Sequence, residues 1–194
     1  MKLIPYGKQF IDKKDIFAVS AALKNEKITT GKEVIKFEKK ISTYLGSKYS
    51  LTCNSGTSSL HMALQSIDLK KNDIVIMPAI NFVSSYNAAR NLGAKVFLAD
   101  VDFKTGQMGP NQIEECCKKF KLKKVKAIIV MYLGGHPNNA GNFIKLKKKY
   151  KSYIIEDSCH AFGSYYYSNK KMDFIGSCKH SDISTFSFHP VKSI

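Results

Sequence analysis

Two stretches near the end of the chain carry side chains that could do chemistry together. Lys192 follows the apolar segment that ends at Phe188, and a lysine amine can attack a carbonyl group and bond to it covalently. Upstream, Glu156 and Asp157 end the apolar stretch Tyr153 to Ile155. A carboxylate in such a position can face a pyridine nitrogen and keep it protonated. This layout is typical of a pyridoxal phosphate (PLP) site, although either residue alone is more often a surface lysine or a helix N-cap.

Two further motifs lie where a strand-like stretch gives way to a helix-like one. At Gly56, Thr57 and Ser58, small residues allow close backbone approach, and a helix N-terminus supplies free N–H groups for a phosphate. The alternative is a hydroxyl-rich N-cap without a ligand. Phe82, after Pro78, could stack on a flat ring, although an isolated phenylalanine more often packs in the core. The glycine patterns of a dinucleotide fingerprint and of a Walker A loop are absent, which disfavours hydride transfer and NTP hydrolysis.

Apolar periodicity predicts the elements that must position these residues. The predicted helices are Ile16 to Leu23 (a packing helix capped by Asp12), Val34 to Leu45 (behind a Thr30–Glu33 capping box and ended by Gly46), Thr57 to Ile67, Phe82 to Leu92, Asn111 to Phe120 and Phe143 to Tyr150. The predicted strands are 49–53, 73–77, 95–101, 126–132, 152–156 and 182–188, with a hairpin over 165–174 that turns at 168–170. Alternating strands and helices indicate an α/β fold with a mostly parallel sheet covered by helices on both faces. In such sheets, ligands bind beyond the carboxyl ends of the strands.

Composition excludes several other classes. A hydrophobic content of 44% suits a globular domain, and the longest apolar runs fall far short of the ~20 residues of a membrane span. The N-terminal residues lack the apolar core of a signal peptide, so we expect a cytoplasmic protein without membrane contact. The five cysteines are an odd set without C-x-x-C spacing, which argues against a zinc site and a disulfide framework.

The formal net charge of +16 raises the question of a nucleic-acid partner. Arg90 is the only arginine, and arginine is the residue that best reads bases and forks onto phosphates. The lysines are spread over predicted helix faces and loops, so we interpret them as solvated surface rather than a nucleic-acid patch. An anionic small substrate would benefit from the charge in either case.

Taken together, these stretches resemble the DegT/DnrJ/EryC1/StrS family of PLP-dependent sugar aminotransferases over nearly the whole chain. The similar segments are Thr30 to Glu38, Asn54 to Leu60, Pro78 to Asn87, Glu156 to Gly163 and Ser187 to Lys192. The resemblance implies the large domain of the fold type I PLP architecture. We expect an N-terminal arm and helix over 1–29 and a PLP-binding large domain over 30–194. The family continues past the lysine, so the resemblance also implies that a C-terminal small domain is missing here.

The resemblance assigns roles to individual residues. It implies that Lys192 carries the cofactor, that Asp157 pairs with the ring nitrogen and that Phe82 stacks on the ring. His160 would stand near the ring hydroxyl, and it is counted with Lys192 and Asp157 as catalytic. The phosphate would be bound by Gly56, Thr57 or Ser58, and Ser187. Family members that are dehydratases carry histidine in place of the lysine, so Lys192 favours transamination.

The segment from Gly176 to Lys192 is similar to a subgroup that aminates a UDP-linked 4-keto-6-deoxy-N-acetylhexosamine on the route to pseudaminic acid. This resemblance implies a nucleotide-sugar substrate, an amino-acid donor such as glutamate, and a homodimer whose subunits share each cofactor pocket. Two alternatives remain open. One is a dehydratase or other PLP lyase of the same fold, and the other is a basic binding or regulatory module without catalysis.

Overall fold

A computed structural model describes residues 9–138, 140–168 and 171–192. Its α-helices are α1 (Lys13–Ala22), α2 (Lys32–Leu45), α3 (Gly56–Ser66), α4 (Val83–Asn91), α5 (Pro110–Lys119) and α6 (Phe143–Tyr150). Its strands are β1 (Ile74–Pro78), β2 (Lys95–Ala99), β3 (Ala127–Met131), β4 (Tyr153–Asp157), β5 (Tyr165–Ser168), β6 (Lys171–Phe174) and β7 (Ile183–Thr185). Most predicted elements are confirmed, with ends that differ by a few residues.

Within the described residues, five strands form one sheet in the order β2-β1-β3-β4-β7. All of its strand pairs are parallel. Every residue of the central strand β3 is buried, as expected for a parallel strand that is covered on both faces. The predicted mostly parallel sheet is therefore confirmed. The predicted hairpin is also confirmed, as the antiparallel pair β5-β6. Of its predicted turn at 168–170, Ser168 is instead the last residue of β5, and residues 169–170 lie outside the described residues.

Alternate residues of the central strands face opposite sides of the sheet, because strand side chains have a period of two. Ile129 and Ile155 pack with α3 and α4 in one core cluster. Ile128 and Ile154 pack with α5 and α6 in the other. Helices thus cover both faces of the sheet. The edge at the carboxyl ends of the strands is where ligands bind in folds of this class.

The predicted strand over 49–53 is wrong. These residues pair with no strand in the described ranges. Instead, the backbone N–H and the hydroxyl of Thr52 each donate to Glu38 Oε1 at 2.8 Å, and the Ser50 hydroxyl donates to the Glu38 carbonyl. A strand is defined by a hydrogen-bonded neighbour, and here the side chain and backbone of α2 take that place.

Helix α2 begins differently from the prediction. Its N-cap is Gly31, and the predicted Thr30–Glu33 capping box is wrong. Thr30 has a φ of 50°, and its hydroxyl donates to the carbonyl of Thr29 at 2.8 Å. A side chain occupied in this way does not cap the helix that follows. The predicted end at Gly46 is confirmed, with a left-handed φ of 72° that suits glycine.

Helix α1 forms as predicted, with Asp12 and Asp15 in a reciprocal capping box. Its predicted role in packing is wrong, because the structure buries no residue of the helix against the described part of the chain. Ile16, Val19 and Leu23 are each about 60% exposed. The spacing of apolar residues identifies an apolar helix face, but it does not identify the residues that pack against that face.

The last strand is shorter than the predicted 182–188. Thr185 pairs with Asp157, the last residue of β4. A strand extends only while it has a neighbour, so residues 186–189 leave the sheet where β4 ends. No helix in the described ranges is both long and apolar enough to span a bilayer.

Candidate active site

The predicted site residues gather at the carboxyl edge of the sheet. Asp157 is the last residue of β4, and Lys192 lies on the segment that follows β7. Gly56 begins α3, and Phe82 is the N-cap of α4. Parallel strands end at one edge, so their following loops and helix N-termini converge there.

Asp157 is held in a buried and oriented position. Its side chain is almost fully buried, with 2% of the residue exposed. Oδ2 accepts a hydrogen bond from the Ser85 hydroxyl at 3.0 Å, and Oδ1 accepts one from the Cys159 backbone N–H at 3.3 Å. Both oxygens therefore have a fixed direction, with further lone pairs for another donor. Asp157 is not a helix N-cap, because a turn follows it.

Ser85 is a site residue that the sequence reasoning missed. It is fully buried on α4 and reaches Asp157 from an element far away in the sequence. A signal was present, because Ser85 shares the spacing of Ala88 and Ala89, which form the buried face of α4. A polar residue on a buried helix face needs a hydrogen-bond partner.

Lys192 and His160 are brought into contact. Lys192 Nζ lies 3.0 Å from His160 Nε2. Burial, together with the nearby charge of Lys192, lowers the pKa of His160, and the charge of Asp157 opposes this shift. A neutral imidazole with its proton on Nδ1 can accept a hydrogen bond from the lysine at Nε2. The pair is thus arranged for exchange of a proton.

Gly56 and Ser187 also meet. A Cβ atom on Gly56 would lie 3.2 Å from Ser187 Cβ and 3.2 Å from Cys159 Sγ. The start of α3 is therefore packed closely against both the Asp157 turn and the Lys192 segment. Any group bound at this helix N-terminus would face the positive end of the helix dipole.

Thr57 and Ser58 differ in what their side chains can do. The Ser58 hydroxyl donates to Asn54 Oδ1 at 2.6 Å, and its backbone N–H donates to Ser55 Oγ at 3.1 Å. Thr57 is exposed at the open end of the helix. The first N–H groups of a helix lack partners within it, so Gly56 and Thr57 present theirs at this end, while the Ser58 groups are used within the cap.

Phe82 lies at the same edge with its side chain largely exposed, at 66%. Its carbonyl accepts the N–H of Ser85 at 3.4 Å, which ties it to the residue that contacts Asp157. The alternative that Phe82 packs in the core is therefore wrong, and its ring is accessible to a ligand.

Cys159 and His160 do not form a thiol nucleophile with its base. Burial raises the pKa of the Cys159 thiol well above its ordinary range, and the neighbouring Asp157 charge raises it further. A nucleophilic cysteine needs the opposite shift. Among the described residues, no group of three or more His, Cys, Asp or Glu side chains is placed to hold a metal ion.

These residues fit PLP. The absence of a Cβ on Gly56 lets the N-terminus of α3 lie close to Ser187 and Cys159, and this helix N-terminus suits a phosphate. Asp157 and Lys192 carry groups suited to the ring nitrogen and the aldehyde. The fold is that of a fold type I PLP domain. Residues 9–194 match the family model of the DegT/DnrJ/EryC1/StrS aminotransferase family, and the chain belongs to this family.

Relatives of known name agree with this assignment. The chain is 38% identical over 198 residues to the UDP-4-amino-4,6-dideoxy-N-acetyl-beta-L-altrosamine transaminase of Campylobacter jejuni subsp. jejuni serotype O:23/36 (strain 81-176), covering 99% of this chain and 49% of the relative. Among solved structures, Helicobacter pylori PseC, an aminotransferase involved in pseudoaminic acid biosynthesis, is 28% identical with a TM-score of 0.85, covering 100% of this chain and 50% of that one.

A Streptococcus pneumoniae protein assigned as a sugar aminotransferase, in its PLP-form, is 25% identical with a TM-score of 0.84, covering 97% of this chain and 50% of that one. The comparisons confirm the predicted family and fold and support PLP as the cofactor. The chain spans about half the length of the curated relatives it matches.

Proposed function

We propose that this chain is the cofactor-binding part of a PLP-dependent transaminase that moves an amino group from an amino acid, such as glutamate, to a nucleotide-linked keto sugar. The observation that carries the proposal is the contact between Lys192 Nζ and His160 Nε2 at 3.0 Å, at the same edge of the sheet as the buried Asp157. Family membership supports it, because the matched family is one of aminotransferases.

When bound, PLP supplies an aldehyde and an electron-withdrawing ring, which is the chemistry that amino transfer needs. Lys192 would hold the cofactor through its amine, and the same amine could move a proton as general base. His160 contacts the lysine amine through Nε2, so it can exchange a proton with it. Asp157 would face the ring nitrogen, since its two oxygens are oriented by the Ser85 hydroxyl and by the Cys159 N–H.

The phosphate is proposed to bind at the N-terminus of α3. The N–H groups of Gly56 and Thr57 and the hydroxyls of Thr57 and Ser187 are its proposed ligands, and the helix dipole favours an anion there. Ser58 is the weaker candidate of the predicted set, since its hydroxyl already donates to Asn54. Phe82, with its exposed ring, is proposed to stack on the cofactor.

The proposed acceptor is a UDP-linked 4-keto-6-deoxy-N-acetylhexosamine. The names of the Campylobacter jejuni and Helicobacter pylori relatives, an altrosamine transaminase and a pseudoaminic acid pathway aminotransferase, support this substrate class. The net charge of +16 favours an anionic nucleotide sugar. A homodimer, a cytoplasmic location and a boundary between 1–29 and 30–194 stay predictions.

The proposal is tested by adding PLP to the protein and recording its visible absorption before and after glutamate. We expect a visible band that glutamate removes. Lys192→Ala should abolish both the band and transaminase turnover. The matched control is Lys124→Ala, an exposed lysine that precedes β3 at the opposite edge of the sheet, and it should leave both unchanged. Turnover retained by the Lys192 variant, or a folded wild-type protein that forms no band, would refute the proposal.

A further inference from the structure

The segment that bears Lys192 has few backbone ties to the rest of the molecule. Its described hydrogen bonds include two that are local: Lys192 N–H donates to the His189 carbonyl at 2.8 Å, and His189 N–H donates to Ser187 Oγ at 3.4 Å. Residues 186–192 form no strand in the described structure. The position of this segment relative to Asp157 therefore depends largely on side-chain packing.

One aromatic ring contacts two residues of this segment. The Phe162 ring lies 5.0 Å from the ring of Phe188 at an interplanar angle of 70°, and 5.6 Å from the ring of Phe186 at 89°. Both are edge-to-face contacts, which aromatic pairs favour. On its other side, Phe162 lies 5.6 Å from Tyr44 of α2. It thus touches two residues of the segment and anchors them to a helix.

Phe162 itself belongs to the turn that follows Asp157. The backbone closes this turn twice, with Ala161 N–H donating to the Ser158 carbonyl at 2.8 Å and Ser164 N–H donating to the Ala161 carbonyl at 3.0 Å. The Ser164 hydroxyl also donates to the Gly135 carbonyl at 2.6 Å. A well-tied turn therefore carries both His160 and the ring that contacts the lysine segment.

We propose that Phe162 is a positioning residue that holds the Lys192 segment against the Asp157–His160 turn, so that PLP bonds to Lys192 in preference to the other lysines of the chain. The inference rests on the proposed function. Phe37 of α2 adds a second support, because its ring lies 5.3 Å from that of Phe188 at 76°. Without the Phe162 ring, Phe188 and Phe186 lose a shared partner, and the lysine amine samples positions away from the cofactor aldehyde.

The test uses the many competing lysines as an internal reference. Lysine and arginine total 31 and Arg90 is the only arginine, so PLP has many alternative amines. Each protein is incubated with PLP and reduced with borohydride, and the pyridoxyl label on every lysine is measured by peptide mass spectrometry. The readout is the label on Lys192 relative to the other lysines.

In the wild-type protein we expect label mainly on Lys192. Phe162→Ala should lower the ratio by about tenfold, the size expected when well-packed aromatic contacts that orient a reacting group are lost. Phe162→Tyr, which keeps the ring, should retain the wild-type labelling ratio. The matched control is Phe120→Ala, which breaks the Phe97–Phe120 ring contact of 5.0 Å near the β2 edge, far from β7 in the strand order, and it should leave the ratio unchanged.

A second variant covers the case in which Phe162→Ala does not fold. Phe37 is partly exposed, at 39%, and Phe37→Ala removes the ring on the other side of Phe188, for an expected loss of about threefold. An unchanged ratio in whichever of these variants folds, or an equal loss in Phe120→Ala, would overturn the inference alone. A wild-type protein that labels Lys192 no more than other lysines would overturn the proposed function and the inference with it.

Discussion

Replacing Gly56 with alanine perturbs the site at the point where three of its segments touch. The new Cβ would lie 3.2 Å from Ser187 Cβ, 3.2 Å from Cys159 Sγ and 3.6 Å from the Phe186 carbonyl oxygen. The first two distances are shorter than ordinary van der Waals contact, so the neighbours must move by a few tenths of an ångström. Gly56 lies in the first turn of α3 and has no positive φ, so the backbone itself accepts alanine.

The expected magnitude follows from two opposing effects. Overpacking a close contact typically costs about 1–3 kcal/mol. Alanine in place of a helical glycine contributes at most ~1 kcal/mol in the other direction. The free energy of unfolding should therefore fall by about 0–3 kcal/mol. Binding of PLP should suffer more, because Ser187 is pushed from the proposed phosphate position, and a loss of ~1.4 kcal/mol is a tenfold weaker Kd.

The assay is the Kd for PLP, measured by absorption, beside the unfolding free energy in urea. Gly141→Ala is the matched control, since a Cβ there would meet nothing closer than His180 atoms at 4.0 Å and the residue has no positive φ. We expect Gly141→Ala to bind PLP like the wild type. A Gly56→Ala protein that also binds PLP like the wild type would refute the assignment of α3 as the phosphate site.

Two further predictions concern buried carboxyl groups. Ser85→Ala leaves an oxygen of Asp157 without its donor, which should cost the cofactor-free protein about 1–3 kcal/mol of stability. In thermal unfolding, Ser85→Ala should lose more stability than the control Ser84→Ala, which replaces the adjacent buried serine. Equal losses in the two variants would contradict the role of Ser85. Burial raises the pKa of Glu156 above its ordinary value of 4.5, although the Tyr132 hydroxyl opposes the shift. Since the folded-state pKa is the higher one, stability from this group is present below pH 4.5 and is lost as the pH rises through the folded pKa. Glu156→Gln should therefore become more stable relative to the wild type as the pH rises above 4.5 in urea unfolding. Parallel pH curves for the two proteins would contradict this.

Much of the local structure could be predicted from the sequence, because its causes lie within one element. Asp12 caps α1 through Asp15 three residues away, and Gly46 ends α2 through its own left-handed φ. The apolar runs around Ile128 and Ile154 predict buried strands, whichever strands are their neighbours in the sheet. The positions of Asp157 and Lys192 after strands were enough to predict that both lie at one edge of a parallel sheet.

The sequence could not show which distant groups complete the site. Ser85 and Asp157 are 72 residues apart, and their hydrogen bond depends on α4 and β4 packing in the same core cluster. The Phe162 ring meets Phe186 and Phe188 for a similar reason, since the turn and the segment follow neighbouring strands.

The same limit explains the errors. Tyr49 to Cys53 has the composition of a strand, but a strand needs a neighbour, and Glu38 takes that place. Helix α1 has an apolar face that no described residue covers. By itself, the sequence determined most of the helices and strands, the edge at which the site lies and the residue types that point to PLP. The tertiary structure decided which side chains touch, because contacts between distant segments depend on how the elements pack and leave no periodic trace in the chain.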